Sequence, residues 1–493
     1  MKYALVLDSG TTSVRAALVD TNGIIVDFCQ EELNLYSASN NGIHQDANEI
    51  YEKSKDVILK VLRKNKLTND DILGMGITNQ RETTILFDAA GCPLAKAIVW
   101  QSKESDGIAQ RWIKQGYSQK VLEKTGLTID AYFSASKIRY LFETNPDLSL
   151  ALANNNCLFG TVDTWLVYKF TNGKVHATDG SNACRTMLFN IHQYCWDHEL
   201  LDLFNISRSI LPQVKESNDD FGVACLDEYQ IPIVAILGDQ QAACLGDGCL
   251  DYGDSKVTYG TGGFVLTQTK DKCIQSNNGM VSSIGWRING KTSYVLEGSV
   301  FIAGAAIQWL RDELGILASA KESEALALSV NDSDGIVVVP CFTGLGAPLW
   351  NGKAKAMIAG ISRKSNKAHL VYATLQGIAN SIEDVILAIS NDLKVPIHYI
   401  VADGGASANN LLCQMQSDLS LSKVTRYTQI ESTLLGVAYL ILYQSHVIDS
   451  LDQIRTLKEI DRSFAPQMDD IKRNTIRKYW KKAIECVDYY AQD

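Results

Sequence analysis

The first residues that could do chemistry form a cluster near the start of the chain. A carboxylate, a glycine, three hydroxyls and an arginine follow a short apolar run: Asp8, Gly10, Thr11, Thr12, Ser13 and Arg15. Glycine lets backbone N–H groups approach a phosphate, and hydroxyls donate further hydrogen bonds. A carboxylate at a strand end suits Mg2+, which prefers oxygen ligands and keeps water ligands. The cluster predicts a phosphate grip beside a metal, although Asp8 also fits a turn residue that bonds its own backbone.

A second carboxylate follows the apolar run Ile231–Leu237, which is typical of a buried strand. Asp239 and Gln240 come directly after Gly238 at its end. Open α/β sheets bind ligands at the carboxyl ends of their strands, and a carboxylate beside a substrate hydroxyl can act as a general base. We predict Asp239 as that base. The alternative interpretation is a helix N-cap for the segment that follows.

A third cluster, Thr78–Thr84, again stands where a strand-like run ends. Arg81 can donate and Glu82 can accept hydrogen bonds from a small polyol, and each makes the other tolerable in a cleft. An exposed ion pair is the alternative interpretation. Candidate apolar walls for a carbon skeleton are Trp100, Tyr132 and Phe264, each of which is also compatible with a place in the core.

Residues for a nucleotide occur in the second half of the chain. Phe301–Leu314 is predicted as a helix, and Gly304 and Gln308 share one of its faces because they are four apart. His398–Ala402 is predicted as a strand that runs into a double glycine and then a helix start, with Gly405 and Asn409 also four apart. This pattern indicates a phosphate or nucleoside platform, although an ordinary strand-to-helix turn also fits it.

Strand and helix signals alternate along the chain, which favours an α/β architecture. The predicted elements include strands at 3–7, 14–20, 72–78 and 255–261 and helices at 48–65 and 106–125. Leu7–Thr12 and Tyr259–Gly263 are each a Gly-Thr turn between two strand-like runs, one in each half. Such turns could face each other across a cleft. With 493 residues the chain is long enough for at least two domains, and Gly246–Gly253 is the best boundary.

Composition narrows the functional classes. The net charge of -10 leaves no basic surplus for a nucleic-acid partner. The apolar opening before Asp8 is too short for a signal peptide or a spanning helix. The 12 cysteines are scattered without a CxxC pair, which predicts buried free thiols in a reducing cytosol. We therefore expect a cytoplasmic protein without membrane insertion.

Long segments of the chain resemble the FGGY family of carbohydrate kinases, and within it the glycerol kinases. The Walker-A pattern and the protein-kinase motifs do not occur in the sequence. The Arg81-Glu82 pair is the feature that separates glycerol kinases from the sugar kinases of this family. The segments that carry the resemblance are Gly76–Thr84, Phe159–Trp165, Arg185–Asn190, Gly238–Ala242, Phe342–Pro348 and Ala356–Gln376.

The resemblance implies two ribonuclease-H-like α/β domains of the actin and hexokinase type, with the active site in the cleft between them. It implies a glycerol- and phosphate-binding domain over 1–247 and a nucleotide-binding domain over 248–493. The expected reaction is ATP-dependent phosphorylation of glycerol to sn-glycerol 3-phosphate, with Mg2+ as cofactor. By similarity, the glycerol-binding residues are Arg81, Glu82, Trp100, Tyr132, Asp239, Gln240 and Phe264. Asp239 is the expected base, and Asp8 is expected near Mg2+. The expected ATP-binding residues are Thr11, Thr12, Ser13, Arg15, Thr261, Gly304, Gln308, Gly405 and Asn409.

Two alternatives stay open at this point. One is a kinase for another polyol or a sugar such as xylulose. The other is an actin-like ATPase that couples nucleotide state to a partner without phosphoryl transfer. Family members are often dimers or tetramers, so a homo-oligomer is expected. The loop before Ile231 lacks both a G-G-T-R element and a histidine, and we expect neither inhibition by fructose 1,6-bisphosphate nor histidine phosphorylation.

Overall fold

The N-terminal half of the chain is built on a six-stranded sheet. The structure is a computed structural model and describes residues 2–38 and 40–492. The strands of this half are β1 Tyr3–Ser9, β2 Ser13–Asp20, β3 Ile25–Glu32, β4 Tyr36–Ser37, β5 Ile43–Gln45, β6 Ile72–Asn79, β7 Ile85–Phe87, β8 Ala97–Ile98, β9 Leu158–Gly160, β10 Ala177–Asp179, β11 Phe189–Asn190, β12 Cys195–Trp196, β13 Gln213–Lys215, β14 Val223–Leu226 and β15 Tyr229–Gly238. The helices are α1 Ala47–Lys64, α2 Asp106–Lys114, α3 Ser118–Thr125, α4 Ser134–Thr144, α5 Pro146–Ala153, α6 Val162–Phe170, α7 Gly180–Ala183, α8 His198–Phe204 and α9 Asp239–Gly246.

The strand order of this sheet is β14-β15-β6-β1-β2-β3. β15, β6 and β1 are parallel to one another, whereas the outer strands are antiparallel to their neighbours. The three central strands are buried almost throughout, as their apolar sequences predict. Their carboxyl ends therefore meet at one edge of the sheet.

The C-terminal half repeats this plan with a seven-stranded sheet of order β18-β19-β17-β16-β22-β23-β24. β16, β22 and β23 are parallel and are again flanked by antiparallel strands. Both halves have the ribonuclease-H-like topology expected from the sequence. The strands are β16 Ser255–Tyr259, β17 Gly263–Lys270, β18 Val281–Ile288, β19 Lys291–Val300, β20 Val337–Val339, β21 Met357–Ala359, β22 Tyr399–Asp403, β23 Lys423–Tyr427 and β24 Ile460–Phe464. The helices are α10 Gly304–Asp312, α11 Glu322–Ala327, α12 Lys367–Leu393, α13 Asn410–Ser420, α14 Ser432–Gln444 and α15 Asp470–Tyr490.

The two halves share part of their hydrophobic core. Val437 and Ile441 of α14, from the C-terminal half of the sequence, cluster with Val6 of β1 and Leu237 of β15. Trp286 of β18 joins the same cluster. The domain boundary at 247/248 stays a prediction. Residues from both sides of this boundary pack in one hydrophobic cluster.

Two predicted helices have different bounds in the structure. The helix predicted over 106–125 is two helices, α2 and α3, because Gly116 adopts a left-handed φ of 81° between them. The helix predicted from Phe301 begins only at Gly304. The backbone N–H groups of Ala303 and Ala305 donate to the carbonyl of Thr261, so the turn after β16 determines where the helix starts.

The cysteine prediction is correct about free thiols but wrong about burial. All 12 cysteines are free, and six of them are buried. The others lie in exposed or half-buried positions, because they occur on edge strands, loops and the C-terminal helix rather than only in the core. Within the described residues, no helix is both long and apolar enough to span a membrane.

Candidate active site

The predicted substrate residues converge where the three parallel strands of the N-terminal sheet end. The register places Ser9 of β1 beside Asn79 of β6, and Asn79 beside Gly238 of β15. Asp8 therefore lies one residue before this row, whereas Arg81 and Asp239 lie just beyond it. Nε of Arg81 lies 3.1 Å from Oδ1 of Asp239. The strand-end argument from the sequence thus brings these side chains to one edge.

Gly238 makes room for the arginine. A Cβ atom at this position would lie 2.8 Å from both Cγ and Cδ of Arg81, closer than unstrained packing permits. A larger residue there would displace the Arg81 side chain from the sheet edge. Asp239 therefore supplies a carboxylate, and Gly238 leaves the space that the Arg81 side chain occupies beside it.

The backbone at Glu82 is strained and turns its side chain away from that of Arg81. The N–H of Thr83 donates to the carbonyl of Arg81 at 2.7 Å, and the φ of Glu82 is 62°. This is a three-residue γ-turn, which is rare in folded proteins because it is strained. Hydroxyls of Ser134 and Thr84 donate to the Glu82 carbonyl at 3.0 and 3.2 Å and hold the turn. Strain of this kind concentrates at functional sites.

The alternative of an exposed ion pair is wrong, and although the charges of Arg81 and Glu82 still favour each other through space, the two side chains do not pair directly. Both are buried, and each has a separate partner. Arg81 donates to both oxygens of Glu297 at 2.8 and 3.0 Å. Glu82 accepts from Nε of Arg185 at 2.5 Å. Because the γ-turn sends the two side chains in different directions, each meets a counter-charge that is distant in sequence.

Sequence reasoning missed Glu297 as a site residue and treated Arg185 only as part of a family segment. They lie 216 and 104 positions from Arg81, and no local pattern links them to it. The one available signal in the sequence was a charged residue, Glu297, within an apolar run. Leu296 and Val300 flank Glu297 in a strand-like run, and a carboxylate there must find a partner. Its partner is identified only by the folded chain.

The Asp239 side chain is partly exposed to solvent and lies in an environment that raises its pKa. The side chain is 32% exposed, yet protein crowds its remaining sides. This burial raises its pKa above the ordinary aspartate value against the opposing effect of Arg81. Asp239 opens α9, with Gly238 as N-cap, and its Oδ1 accepts from the N–H of Gln240 at 2.7 Å. The N-cap interpretation of Asp239 is therefore not correct.

Gln240 is oriented by a buried lysine of the C-terminal half. Nζ of Lys256 donates to Oε1 of Gln240 at 2.7 Å and to Oγ1 of Thr258 at 2.6 Å. An ammonium group only donates. The Gln240 amide therefore has its oxygen on Lys256 and its NH2 group turned away from it. Lys256, on β16, is a second residue that the sequence analysis missed.

Two of the three predicted apolar walls are in contact with each other. The rings of Trp100 and Tyr132 pack edge to face, with centroids 5.6 Å apart. The guanidinium of Arg185 lies 5.7 Å from the Tyr132 centroid, which places the tyrosine beside Glu82. Phe264, on β17, is half-buried and pairs with Thr258 in the neighbouring strand.

The predicted phosphate grip is the turn between β1 and β2. The side-chain amide of Gln45 donates to the Thr11 carbonyl at 2.7 Å, and that of Gln80 donates to the Gly10 carbonyl at 3.3 Å. These two amides hold the carbonyls of the turn, and Thr12 is exposed at its tip. Nε1 of Trp100 donates to Oγ1 of Thr11 at 2.9 Å, so the turn contacts the aromatic wall.

The remaining residues of the predicted grip lie at the start of β2. Ser13 and Arg15 are half-buried there. Nη1 of Arg15 forms an ion pair with Glu431 at 2.5 Å, and its Nε donates to Gln30 at 3.0 Å. The positive charge of Arg15 is therefore partly balanced by a carboxylate of the C-terminal half.

The predicted nucleotide residues lie on three segments of the C-terminal half. Thr261 is exposed in the turn between β16 and β17, and Gly304 and Gln308 lie in α10. A Cβ on Gly304 would lie 2.7 Å from the Gly260 carbonyl, so close packing on this turn is a sufficient reason for that glycine. Gln308 is exposed four residues further along α10.

Gly405 borders open space. A Cβ built there meets no atom of the described residues within 4 Å, whereas Asn409 caps α13 by accepting from the N–H of Leu412 at 3.0 Å. The predicted sequence of strand, double glycine and helix start is confirmed as local structure, with a short 3-10 turn at Gly405–Ala408 between them.

Family models match both halves of the chain. The N-terminal domain of the FGGY family of carbohydrate kinases matches residues 3–246, and its C-terminal domain matches residues 255–445. The chain belongs to the FGGY family of carbohydrate kinases. The family resemblance stated from the sequence is thereby confirmed. The chain is 44% identical to "Glycerol kinase" of Brevibacillus brevis, with 99% of each covered. It is 41% identical to that of Staphylococcus haemolyticus, again with 99% of each covered.

Solved structures give the same result for the fold. The glycerol kinase of Plasmodium falciparum, solved with ADP, superimposes with a TM-score of 0.94 at 31% identity, covering 99% of this chain and 98% of that one. The xylulose kinase of Lactobacillus acidophilus superimposes with a TM-score of 0.88 at 19% identity, covering 100% and 99%. The second match supports the shared fold alone. The two-domain α/β architecture predicted from the sequence is confirmed.

Proposed function

We propose that this chain is an ATP-dependent glycerol kinase that transfers a phosphoryl group to a terminal hydroxyl of glycerol. The observation that carries the proposal is the contact between Asp239 and Arg81 at the strand ends, with Glu82 directly after Arg81. A small triol needs both donors and acceptors, and this edge supplies a guanidinium and two carboxylates. The glycerol kinases at 41 to 44% identity over nearly full length support the choice of substrate.

In the proposed complex, Arg81, Glu82, Tyr132, Asp239 and Gln240 bind the hydroxyls of glycerol. Trp100 and Phe264 pack against its carbons. Asp239 accepts the proton of the attacking hydroxyl. Because burial raises its pKa, the ionised carboxylate is a stronger base than that of an exposed aspartate.

The phosphates of ATP would occupy the space between the turns of the two halves. The proposed ligands are Thr11, Thr12, Ser13, Arg15, Thr261, Gly304, Gln308, Gly405 and Asn409. Phosphoryl transfer asks the protein mainly for in-line positioning and neutralisation of charge. Closure of the two halves would exclude water, which otherwise competes with glycerol as acceptor.

The surroundings of Asp8 fit a Mg2+ ion. Burial and the nearby charge of Asp239 raise the pKa of Asp8 to about 7, despite Arg15. Two carboxylates that disfavour each other's ionisation form a site that a hard divalent cation stabilises. Asp8 would hold the ion or its water shell, and the ion would offset charge on the transferred phosphate.

A substrate panel tests the proposal. Production of ADP and phosphorylated product is measured with ATP and glycerol, xylulose or another polyol, each over a range of concentrations. We expect kcat/KM to be highest for glycerol. A higher kcat/KM for a pentulose would show that the chain is a sugar kinase of the same family.

The same assay without an acceptor tests the actin-like alternative. A glycerol kinase is expected to hydrolyse ATP slowly when glycerol is absent, because no acceptor hydroxyl is then held in line with the γ-phosphate and water is only a poorly positioned substitute. ATP turnover that glycerol leaves unchanged, without a phosphorylated product, would contradict the proposed transfer.

A further inference from the structure

Glu297 is the central member of a chain of five alternating charges, four of which are buried. The order is Asp239, Arg81, Glu297, Arg185 and Glu82, with closest atoms at 3.1, 2.8, 3.3 and 2.5 Å. Oε2 of Glu297 accepts from Arg81 and also lies within ion-pair distance of Arg185. The carboxylate therefore separates two guanidinium groups that otherwise repel each other inside the protein.

This arrangement fixes the orientation of Arg81. Its two terminal nitrogens are bonded to the two oxygens of Glu297, which is the planar bidentate geometry that defines a guanidinium most strictly. Only the side of the group that carries Nε then points toward Asp239. Although burial alone would raise it, the guanidiniums of Arg185 and Arg81 lower the pKa of Glu297 to about 2, so the carboxylate is ionised across the neutral range.

Glu297 comes from the C-terminal half, whereas the four other members belong to the N-terminal half. It lies in the middle of β19, where it pairs with Leu266 of β17 and Val281 of β18. A Cβ on the next residue, Gly298, would lie 2.4 Å from Val385, so the strand is tightly packed at this point. Nη1 of Arg185 also reaches across to Ser283 of β18 at 2.9 Å. The carboxylate is thus held on a rigid element of the opposite half.

We propose that Glu297 is a positioning residue of the polyol site. Docking of the C-terminal sheet places its carboxylate on the two terminal nitrogens of Arg81, so that only the Nε side of the guanidinium contacts the base. The inference rests on the proposed function. When the carboxylate is lost, the terminal nitrogens of Arg81 keep the neutral Gln241 amide at 3.2 Å, and the nearest remaining carboxylate is that of Asp239, which already lies 3.1 Å from Nε. A bidentate pairing of Arg81 with Asp239 would occupy both the donor that glycerol needs and the carboxylate that accepts its proton.

The test is Glu297→Gln in the full-length enzyme, which removes the charge and keeps the shape. We expect kcat/KM for glycerol to fall at least about thirtyfold, mainly through KM, because one partner of a buried hydrogen-bonded charge pair is removed. The KM for ATP should change by less than about twofold. Glycerol affinity, measured by isothermal titration calorimetry, should fall in parallel with KM.

The matched control is Glu383→Gln. Glu383 is an equally buried carboxylate of the C-terminal half, on α12, outside the proposed site. It should leave the KM values for glycerol and ATP unchanged. If Glu297 only stabilised the fold, Glu297→Gln would lower the melting temperature or the active fraction, and the glycerol KM of the folded enzyme would match those of the wild type and of Glu383→Gln. That result would overturn the inference.

Glu297→Asp keeps the inference testable if the glutamine variant does not fold. Aspartate keeps the charge but withdraws the carboxylate by one methylene, so it cannot hold both terminal nitrogens of Arg81. If both variants fold, we expect the glycerol KM of Glu297→Asp to lie between those of the wild type and Glu297→Gln. If Glu297→Asp folds and Glu297→Gln does not, we expect its glycerol KM to lie clearly above that of the wild type. A wild-type KM in Glu297→Asp would refute the positioning role. If the wild-type enzyme itself fails to phosphorylate glycerol, the proposed function is wrong instead.

Discussion

Replacement of Asp239 by asparagine should remove the base while leaving the site assembled. Asp239 contributes one contact to Arg81, at 3.1 Å, whereas Glu297 contributes two at 2.8 and 3.0 Å and Gln241 a further one at 3.2 Å. Arg81 therefore keeps most of its partners in Asp239→Asn. The asparagine can also present its amide oxygen to the guanidinium in place of the carboxylate.

The expected size of the effect follows from these contacts. Loss of a positioned general base lowers kcat by about 10²- to 10⁴-fold. Loss of one hydrogen-bond partner for glycerol costs about 1 kcal/mol, so glycerol affinity should change by no more than about fivefold. The effect on kcat should therefore exceed the effect on binding by at least one order of magnitude.

The assay follows glycerol 3-phosphate formation, with glycerol and ADP binding measured by calorimetry on the same preparation. Asp163→Asn is a suitable control. Asp163 is buried in the N-terminal half and accepts from hydroxyls of Thr161 and Thr178 at 2.5 and 2.6 Å. It should keep a near wild-type kcat per folded molecule. A kcat within tenfold of wild type in Asp239→Asn, or equal losses of kcat and glycerol affinity, would refute the reasoning.

Three further predictions follow from individual contacts. Arg185→Met leaves Glu82 buried without its cation, which should destabilise the protein by about 3–5 kcal/mol; the double variant with Glu82→Gln should regain part of the lost melting temperature, and no regain would contradict the pairing. Trp100→Phe removes the hydrogen bond to Thr11 and should cost about 1 kcal/mol, seen as a roughly fivefold lower kcat/KM in steady-state kinetics, whereas an unchanged value would argue against this link. Burial raises the pKa of Glu383 to about 8, so the stability that its protonated form contributes is complete below its unfolded pKa near 4.5 and is lost as pH rises through 8. The melting temperature of Glu383→Gln should therefore exceed that of the wild type at pH 9 and lie close to it at pH 5. An equal increase in melting temperature at both pH values would refute the assigned titration.

The sequence was sufficient to predict that candidate residues distant along the chain meet at one edge of the sheet. Asp8 and Asp239 each follow an apolar run, and parallel strands bring such positions to a common edge. The structure confirms both strands and their register. This part of the site is predictable because each element is local and because the edge is a consequence of sheet topology rather than of particular side chains.

The partners of the charged residues could not be predicted in the same way. Arg81 and Glu82 are neighbours in sequence, which suggests mutual neutralisation, but a left-handed φ at Glu82 separates their side chains. Their true partners, Glu297 and Arg185, come from a strand of the other half and from a short helical turn. Such pairings depend on how two sheets dock, and hydrophobic periodicity carries no information about that step.

The helix bounds show the same limit on a smaller scale. The apolar pattern from Phe301 predicts a helix three residues too early, since the carbonyl of Thr261 captures the N–H groups that would otherwise face solvent at its start. The break between α2 and α3 at Gly116 could have been predicted from the sequence. A glycine inside a helical pattern permits the left-handed conformation that ends one helix before the next begins.

The most direct test of the central claim is a crystal structure with glycerol and a non-hydrolysable ATP analogue bound together. The account predicts a terminal glycerol oxygen about 2.6–3.2 Å from the Asp239 carboxylate and roughly 3–3.5 Å from the γ-phosphorus, with Arg81 still bonded to Glu297. Glycerol bound outside the space between the two halves, or the Asp239 carboxylate turned away from it, would contradict the account.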